Sequence, residues 1–196
     1  MKYLKMTALA AIAGLGLLAF AGTGTASATQ LCTDSACNTV YPSDTTIHIV
    51  TKKAVSIRWK SGSTTIATCS NSTIHITTNQ QFSITISANA IAIQFEGCNQ
   101  TTHTVSNGSF DIKYTSGASG EVTGTGNSVT LGIFGTSCTY GTGAGTKLAT
   151  LTGGSEPVLA ISATVARTAG GFLCPTNAIW EGEYVIESPH ALYVAN

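Results

Sequence analysis

The sequence predicts an all-β protein: an antiparallel β-sandwich or jelly-roll-like domain stabilised by disulfide bonds. From residue 45 onward, apolar side chains alternate with Thr, Ser and other polar residues, which is typical of half-buried strands. Clusters rich in Gly, Ser and Asn separate the alternating segments and indicate turns. Many short strands joined by such turns favour a sandwich or a jelly-roll over a parallel architecture.

The N-terminus has the pattern of a secretory signal peptide. Lys2 and Lys5 precede an apolar run over residues 7–20, and Ala26, Ser27 and Ala28 form a small-x-small cleavage site. We therefore expect residues 1–28 to be a signal peptide cleaved near Ala28, and residues 29–196 to be a single secreted β-sandwich domain. The apolar run is short and interrupted by glycines, and no second run follows it. The mature chain is thus expected to lack a stable membrane span and to lie outside the cell or at its surface.

The mature chain is expected to contain about ten to thirteen short strands. The apolar residues of the alternating segments are Ile47/Ile49, Val55/Ile57/Trp59, Ile74/Ile76, Phe82/Ile84/Ile86, Ile91/Ile93/Phe95, Phe110/Ile112/Tyr114, Val129/Leu131/Ile133, Leu159/Ile161/Val165 and Trp180/Tyr184/Ile186. Asn107 and Gly108 lie between two apolar runs and form a candidate tight hairpin turn. No mature segment shows a sustained helical period.

Two segments of the chain, residues 46–59 and 73–86, are similar to each other. They align without a gap, and half of the fourteen positions are identical, including His48 and His75. A repeated hairpin would explain the match, and chance similarity in a chain so rich in Thr, Ile and Ser is the alternative. If the repeat is real, the two histidines could meet across strands as a two-ligand metal site or a pH-sensitive patch. Otherwise each histidine faces solvent while the neighbouring isoleucines face the core.

All six cysteines lie in the predicted mature chain, at Cys32, Cys37, Cys69, Cys98, Cys138 and Cys174. An even number of cysteines in an exported chain predicts disulfide bonds. Six cysteines allow 15 connectivities, and their order along the chain favours pairing between sequence neighbours: 32 with 37, 69 with 98, and 138 with 174. No Cys-x-x-Cys pair of the kind found in zinc sites is present, so neither a metal nor a cofactor is predicted.

The charge content narrows the classes of partner. Only 9% of the residues are charged, against about 25% in a typical domain. Removal of Lys2 and Lys5 leaves seven basic and nine acidic residues, a net charge of −2. Without a basic patch or a run of charges, binding to nucleic acid is not expected. Hydroxyl and amide groups must keep this surface soluble, as in many extracellular structural and adhesive proteins.

One acidic cluster is the strongest candidate for chemistry. Glu181, Glu183 and Glu187 lie around Trp180. Paired carboxylates can serve a glycosidase or hold Ca²⁺, but no Asp-rich calcium loop accompanies these. Because alternate residues of a strand share a face, Glu181 and Glu183 are expected to lie side by side, opposite Trp180 and Tyr184. A hydrolase would require these carboxylates to line a cleft, whereas a solvent-facing row is the ordinary alternative. We predict no catalytic residue, and we take Trp59, Trp180, Glu181 and Glu183 as a possible ligand surface.

Several segments together carry a family resemblance. They are Leu31-Cys32, Cys37, Tyr41-Pro42, Ala67-Thr68-Cys69, residues 138–154, Phe172-Leu173-Cys174-Pro175, and Trp180, Tyr184, Ser188-Pro189 and Leu192-Tyr193-Val194. They resemble a group of small, largely uncharacterised secreted bacterial proteins common in actinobacteria. More distantly, the placement of Cys, Trp and Pro is similar to that in secreted proteins named as activators of alkane oxidation. The resemblance implies a secreted, cysteine-containing β-domain and carries over no catalytic motif.

The combined observations favour a secreted, non-enzymatic protein with a structural, adhesive or surface-assembly role. Its expected partners are further copies of itself or components of the cell surface and matrix. Strands with few charges protect sheet edges poorly from pairing, which favours assembly. The alternative function is an extracellular binding module for a small apolar ligand or a glycan. That alternative requires Trp59 or Trp180 to be exposed on a sheet surface.

Overall fold

The computed structural model describes residues 28–52, 56–79, 81, 83 and 85–196, and this part of the chain is all-β. None of the described residues belongs to a helix that is long and apolar enough to cross a membrane. The predicted signal peptide lies outside the described residues, except for Ala28. The strands are β1 (Gln30–Cys32), β2 (Thr46–Thr51), β3 (Ile57–Ser61), β4 (Thr64–Thr78), β5 (Ile86–Cys98), β6 (Thr102–Ser106), β7 (Ser109–Ser116), β8 (Ser119–Thr125), β9 (Ser128–Ile133), β10 (Thr136–Gly141), β11 (Thr146–Thr152), β12 (Val158–Ala169), β13 (Asn177–Ser188) and β14 (Tyr193–Ala195).

The main sheet closes on itself into an eight-stranded barrel. Four of the eight positions are occupied by the long strands β4, β5, β12 and β13. Each of the other four holds two shorter strands placed end to end: β2 with β3, β6 with β7, β8 with β9, and β10 with β11. Strand β13 closes the ring because it pairs with β12 on one side and with β2 and β3 on the other, and both of these pair with β4.

The prediction of a sandwich or a jelly-roll is therefore corrected to a closed barrel. Period-two alternation only requires that one face of each strand be buried, which holds equally in two packed sheets and in one closed sheet. The expectation of short strands is wrong for four of them, because β4 spans 15 residues, β5 spans 13, and β12 and β13 span 12 each. Closure of the sheet depends on pairing between strands that are far apart in the chain, and no local pattern of residues indicates such a pairing.

Two segments that were predicted to be hairpins are instead interruptions between strands that lie end to end in the barrel. Asn107 and Gly108 separate β6 from β7, which run in the same direction, since β6 pairs with β9 and β7 pairs with β8. Likewise β2 and β3 both run antiparallel to β4, so residues 46–59 do not form a hairpin. Residues 73–86 instead run from β4 toward β5, which pair as neighbouring antiparallel strands. The two similar segments thus have different structures, and a repeated hairpin is not observed.

Side chains complete the seam between β5 and β6, where no backbone ladder is formed. Asn107 accepts a hydrogen bond from the backbone nitrogen of Ile93 at 3.1 Å and donates one to the carbonyl of Ile91 at 2.8 Å. The hydroxyl of Thr104 donates to the carbonyl of Ile93 at 2.6 Å. An unpaired buried backbone group costs about as much as a lost hydrogen bond, so these contacts stabilise the ring at this seam.

The interior of the barrel has two parts. We call the half formed by β2, β7, β8 and β11 the lower half, and the half formed by β3, β6, β9 and β10 the upper half. The lower half is filled by aliphatic side chains and Phe110, which leave a cavity of about 20 Å³ lined by apolar groups. In the upper half, Trp59 and Trp180 stack with ring centroids 5.5 Å apart, and Phe95 packs edge-on against both.

The lower end of the barrel is covered by the first and last strands of the described residues. Strands β1 and β14 form a separate antiparallel ribbon, which we call the plug. Leu31, Leu192 and Val194 from this region are buried to 1% exposure or less. The backbone nitrogen of Thr29 also donates to the carbonyl of Ser83 at 2.6 Å. The plug therefore covers apolar surface at the lower end of the barrel.

The three disulfide bonds are those favoured by the order of the cysteines. Cys32–Cys37 lies at the plug, Cys69–Cys98 joins β4 to β5, and Cys138–Cys174 joins β10 to the loop after β12. No cysteine in the chain is free. Three disulfides indicate an oxidising environment such as that outside the cell.

Candidate functional site

Both tryptophans lie inside the barrel. Trp59 is 1% exposed and Trp180 is 3% exposed, so the predicted ligand surface has no aromatic side chain on it. The prediction for these two residues is corrected: alternation along β3 and β13 directs their side chains inward, where they stack on each other. The structure therefore removes the condition on which the ligand-binding alternative depended.

A group of polar atoms is buried beside the tryptophans. The indole nitrogens of Trp59 and Trp180 and the hydroxyls of Ser72 and Tyr184 have no hydrogen-bond partner of good geometry. Burial strongly raises the pKa of the Tyr184 phenol, and the neighbouring Ser72 hydroxyl and Trp180 indole partly oppose this rise. Tyr184 is thus a neutral core residue at ordinary pH and is not a candidate acid or base.

Glu181 and Glu183 lie on the outer face of β13, opposite Trp180. The ammonium of Lys60 is 2.8 Å from a carboxylate oxygen of Glu181, and Lys52 pairs with Glu183. Together with Arg58, the two glutamates border a depression of about 280 Å³ on the outside of the barrel. Each carboxylate is held by a lysine on a neighbouring strand, and the arrangement is that of an ion-paired surface row.

The structure brings His48 and His75 together, as their place in the sequence suggested. They are direct partners on β2 and β4, and their rings stack with centroids 4.3 Å apart. Glu187 lies on the other side of His48, with 3.6 Å between its carboxylate and Nδ1 of the imidazole. Within the part of the chain that the structure describes, no three His, Cys, Asp or Glu side chains are arranged to hold a metal ion.

The upper end of the barrel carries exposed apolar side chains that the sequence analysis did not single out as a surface. Phe134 is 80% exposed, Phe172 is 94% exposed and Leu173 is 49% exposed. Phe134 lies in the turn between β9 and β10, and the other two lie in the loop between β12 and β13. Together with the β3–β4 and β5–β6 connections, these loops form what we call the apolar end.

The β9–β10 turn holds Phe134 outward. Ile133 pairs with Thr136, so the turn has only two residues, Phe134 and Gly135. Both have positive φ, 50° and 73°, which is the backbone of the hairpin turn that follows the natural twist of the strands. Phe134 lies in the turn and not in a strand, so strand alternation does not direct its side chain into the barrel. The side chain points away from the barrel.

The loop between β12 and β13 is fixed to β10 beneath it. The Cys138–Cys174 disulfide joins them, and Gly170 packs so closely that a Cβ there would lie 3.0 Å from the carbonyl oxygen of Ser137. Ser137 follows Phe134 by three residues, so the two apolar loops are neighbours. Phe172 and Leu173 are the exposed apolar side chains of this loop.

Arg167 satisfies the backbone of the same loop from below. Its guanidinium donates to the carbonyls of Gly171 at 2.9 Å and Cys174 at 2.5 Å. The hydroxyl of Tyr140 donates to the carbonyl of Pro175 at 3.2 Å. Burial raises the pKa of Tyr140, and the charge of Arg167 opposes that rise. The carbonyls of Gly171, Cys174 and Pro175 are thus paired within the protein, while the side chains of Phe172 and Leu173 are exposed.

The four loops of the apolar end contain no charged residue. Residues 61–64, 98–102, 133–136 and 169–177 consist of Ser, Thr, Gly, Ala, Asn, Gln, Cys, Pro, Ile, Leu and Phe. Of the charged side chains that flank them, Lys60 pairs with Glu181 and Arg167 is directed at loop carbonyls. Glu96, two residues before the β5–β6 connection, accepts a hydrogen bond from the side-chain amide of Asn71 at 3.2 Å, and His103 follows that connection directly. A sequence signal for this surface exists: Phe134 and Phe172 each stand beside a glycine and outside the alternating positions of the predicted strands.

Comparison of the chain with family models, with curated proteins and with solved structures found no match in any of the three. The resemblance to secreted actinobacterial proteins therefore stays a prediction. The geometry of the site carries the functional argument.

Proposed function

We propose that this chain is an exported, non-enzymatic adhesive protein that attaches to apolar surfaces through its apolar end. One observation carries the proposal: Phe134, Phe172 and Leu173 are exposed together on loops without a charged residue. The largest apolar patch of a soluble monomer is typically about 300–600 Å² and is often functional, so exposed apolar side chains on uncharged loops form a candidate interaction site. The predicted signal peptide and the three disulfides support a place of action outside the cell.

The closed barrel changes the basis for self-association. Assembly was expected because unprotected sheet edges can pair with other chains. In the closed ring, each strand position has a neighbour on both sides, and side chains complete the seam between β5 and β6. A closed sheet offers no free edge for another chain to extend. Attachment through side chains at the apolar end therefore replaces edge pairing as the favoured mode of adhesion.

The proposal assigns binding without a chemical step. Glu181 and Glu183, the strongest candidates for catalysis, each pair with a lysine on the outer face of the barrel. Carboxylates that flank a glycosidic bond must instead face a common substrate between them. A glycan-binding or ligand-binding role through the tryptophans is not favoured, because both rings are stacked in the core.

Adsorption to octyl-coated beads, compared with uncoated beads, tests this function. The mature chain is expected to bind the octyl beads, and the variant F134S/F172S/L173S is expected to lose at least about tenfold in retention, since transfer of each large apolar side chain contributes roughly 1.5–3 kcal/mol. The matched control is I91S/V105S, which removes two apolar residues of 57% and 59% exposure from the barrel wall.

The control variant is expected to bind like the parent, and circular dichroism checks that all three proteins are folded. Equal retention of the parent and the triple variant would contradict the proposal. Equal losses in the triple variant and in the control would show general stickiness instead of a specific end.

A further inference from the structure

The exposed apolar area of the apolar end can be compared with the area that a protein partner would bury. A large aromatic side chain can bury about 150–250 Å². At the exposures of Phe134, Phe172 and Leu173, the three side chains together present on the order of 400 Å². A stable protein–protein interface buries about 800 Å² on each partner. The three apolar side chains supply about half of this area, so a lasting protein partner or a second copy of the chain would have to bury the polar atoms of the loops as well.

The loops of the apolar end contain no charged residue, and this property limits the kind of apolar surface that they can enter. A side chain that enters the hydrocarbon region of a lipid layer must not carry unpaired charge with it. The four loops of the apolar end meet this condition, since none contains Asp, Glu, Lys, Arg or His. Attraction to anionic lipid instead requires clusters of Lys or Arg next to the inserted residues, and the loops contain none.

Part of the backbone of the most exposed loop is already paired within the protein. Unpaired carbonyls are costly in hydrocarbon, but those of Gly171 and Cys174 accept hydrogen bonds from Arg167. The carbonyl of Gly171 also accepts from the backbone nitrogen of Cys174 at 3.1 Å. The disulfide at Cys174 keeps the loop ordered, so little conformational entropy remains to be lost when Phe172 and Leu173 insert.

We infer that the apolar end inserts into the interfacial region of an uncharged or zwitterionic lipid layer. Phe134, Phe172 and Leu173 reach the boundary of the acyl chains, while the loop threonines, serines and amides stay at the level of the headgroups. Insertion is shallow and reversible because three side chains supply it, and the barrel remains in water. This inference rests on the proposed adhesive function and names the surface to which the same end attaches.

Co-sedimentation with vesicles tests the inference on the mature chain. One set of vesicles contains phosphatidylcholine alone, and the second contains phosphatidylcholine with phosphatidylglycerol. The parent is expected to bind both sets equally well and without dependence on salt. The variants F134S and F172S are each expected to bind roughly tenfold more weakly or worse, and I91S/V105S is expected to bind like the parent.

The outcomes separate this inference from the function on which it rests. Retention on octyl beads without binding to phosphatidylcholine vesicles would overturn the lipid inference and leave the adhesive function standing. Loss of both would overturn both. Tighter binding to the phosphatidylglycerol vesicles would show that charge drives association, against the inference. A concentration-dependent dimer in sedimentation velocity that F172S abolishes would identify a second copy as the occupant and would also overturn it.

Discussion

The two ends of the barrel place the same kinds of side chain in opposite environments. At the lower end, Leu31, Leu192 and Val194 are buried at the plug, with exposures of 1% or less. At the upper end, Phe172 and Leu173 extend into solvent at 94% and 49% exposure. Each end also carries a disulfide, Cys32–Cys37 below and Cys138–Cys174 above. The ends thus differ in what covers their apolar residues and resemble each other in how their chain segments are tied.

The difference shows how one chain can use apolar residues both for stability and for binding. Strands β1 and β14 cover the lower end and pair with each other there. In the part of the chain that the structure describes, the upper end is formed by four short connections, and no strand lies over them. Apolar residues at the lower end therefore lower the free energy of the fold, whereas those at the upper end remain available to another phase.

The largest expected effect lies in the core beneath the apolar end. Trp180→Ala removes a ring that stacks on Trp59 and contacts Phe95 and Tyr184. We expect it to lower the free energy of unfolding by about 3–5 kcal/mol, as for other buried aromatic truncations. Urea unfolding measures the change, and Phe172→Ala is the matched aromatic control, with an effect within about 0.5 kcal/mol. Similar urea midpoints for the two variants would contradict the expected difference between the buried core and the apolar end.

The two terminal disulfides differ in the length of chain that they close. Cys138–Cys174 spans 36 residues and Cys32–Cys37 spans five. In the chain-entropy treatment, removing the longer one by C138A/C174A costs about 4 kcal/mol, and removing the shorter one by C32A/C37A costs about 2 kcal/mol. Guanidinium unfolding of both variants gives the comparison, and a larger loss for C32A/C37A would contradict it. C138A/C174A is also expected to weaken adsorption to octyl beads, because its loop is no longer tied to β10.

A pair of leucines compares the ends directly. Leu31 is fully buried at the plug and Leu173 is half exposed at the apolar end. Leu31→Ala is expected to lower the free energy of unfolding by about 2–5 kcal/mol, whereas Leu173→Ala should change it by no more than about 0.5 kcal/mol. Binding should show the reverse order, with only the second variant losing affinity for octyl beads. Stability losses of equal size would mean that Leu173 also packs in the fold.

The smallest expected effect concerns the loop of the short disulfide. The carboxylate of Asp34 accepts hydrogen bonds from the backbone nitrogens of Ala36 and Asn38, at 3.0 and 3.2 Å. These bonds, that of Asn38 foremost, lower the pKa of Asp34 below its ordinary value. A lowered pKa adds stability above the unfolded-state value near pH 4, and this stability is lost as the pH falls through the folded-state value.

Thermal unfolding of Asp34→Ala against pH measures this effect. The variant is expected to melt slightly below the parent at pH 7 and together with it in strong acid, where the carboxylate of the parent is protonated. A difference that persists unchanged in acid would assign the effect to packing instead of to the charge.

The sequence predicted those features that depend on neighbours along the chain. Alternation placed Glu181 and Glu183 on one face of β13 and Trp180 on the other, as the structure shows. The order of the cysteines favoured the three observed disulfides. The two histidines meet because β2 and β4 are paired neighbours, and the repeated hairpin on which that expectation depended is not observed. The hairpin at Asn107 was wrong, because a tight turn and a break within a strand position have the same local residues.

By itself, the sequence determined the all-β class and the two faces of the strands, because residue type and a period of two encode them locally, and it favoured one of the possible sets of cysteine pairs. Only the tertiary structure decided that the sheet closes, that both tryptophans stack inside, and that Phe134, Phe172 and Leu173 share one end. These outcomes depend on which distant strands pair and on whether any segment remains to cover an end. The sequence does not distinguish an exposed phenylalanine from a buried one, because the difference between them arises only when the sheet closes into a barrel.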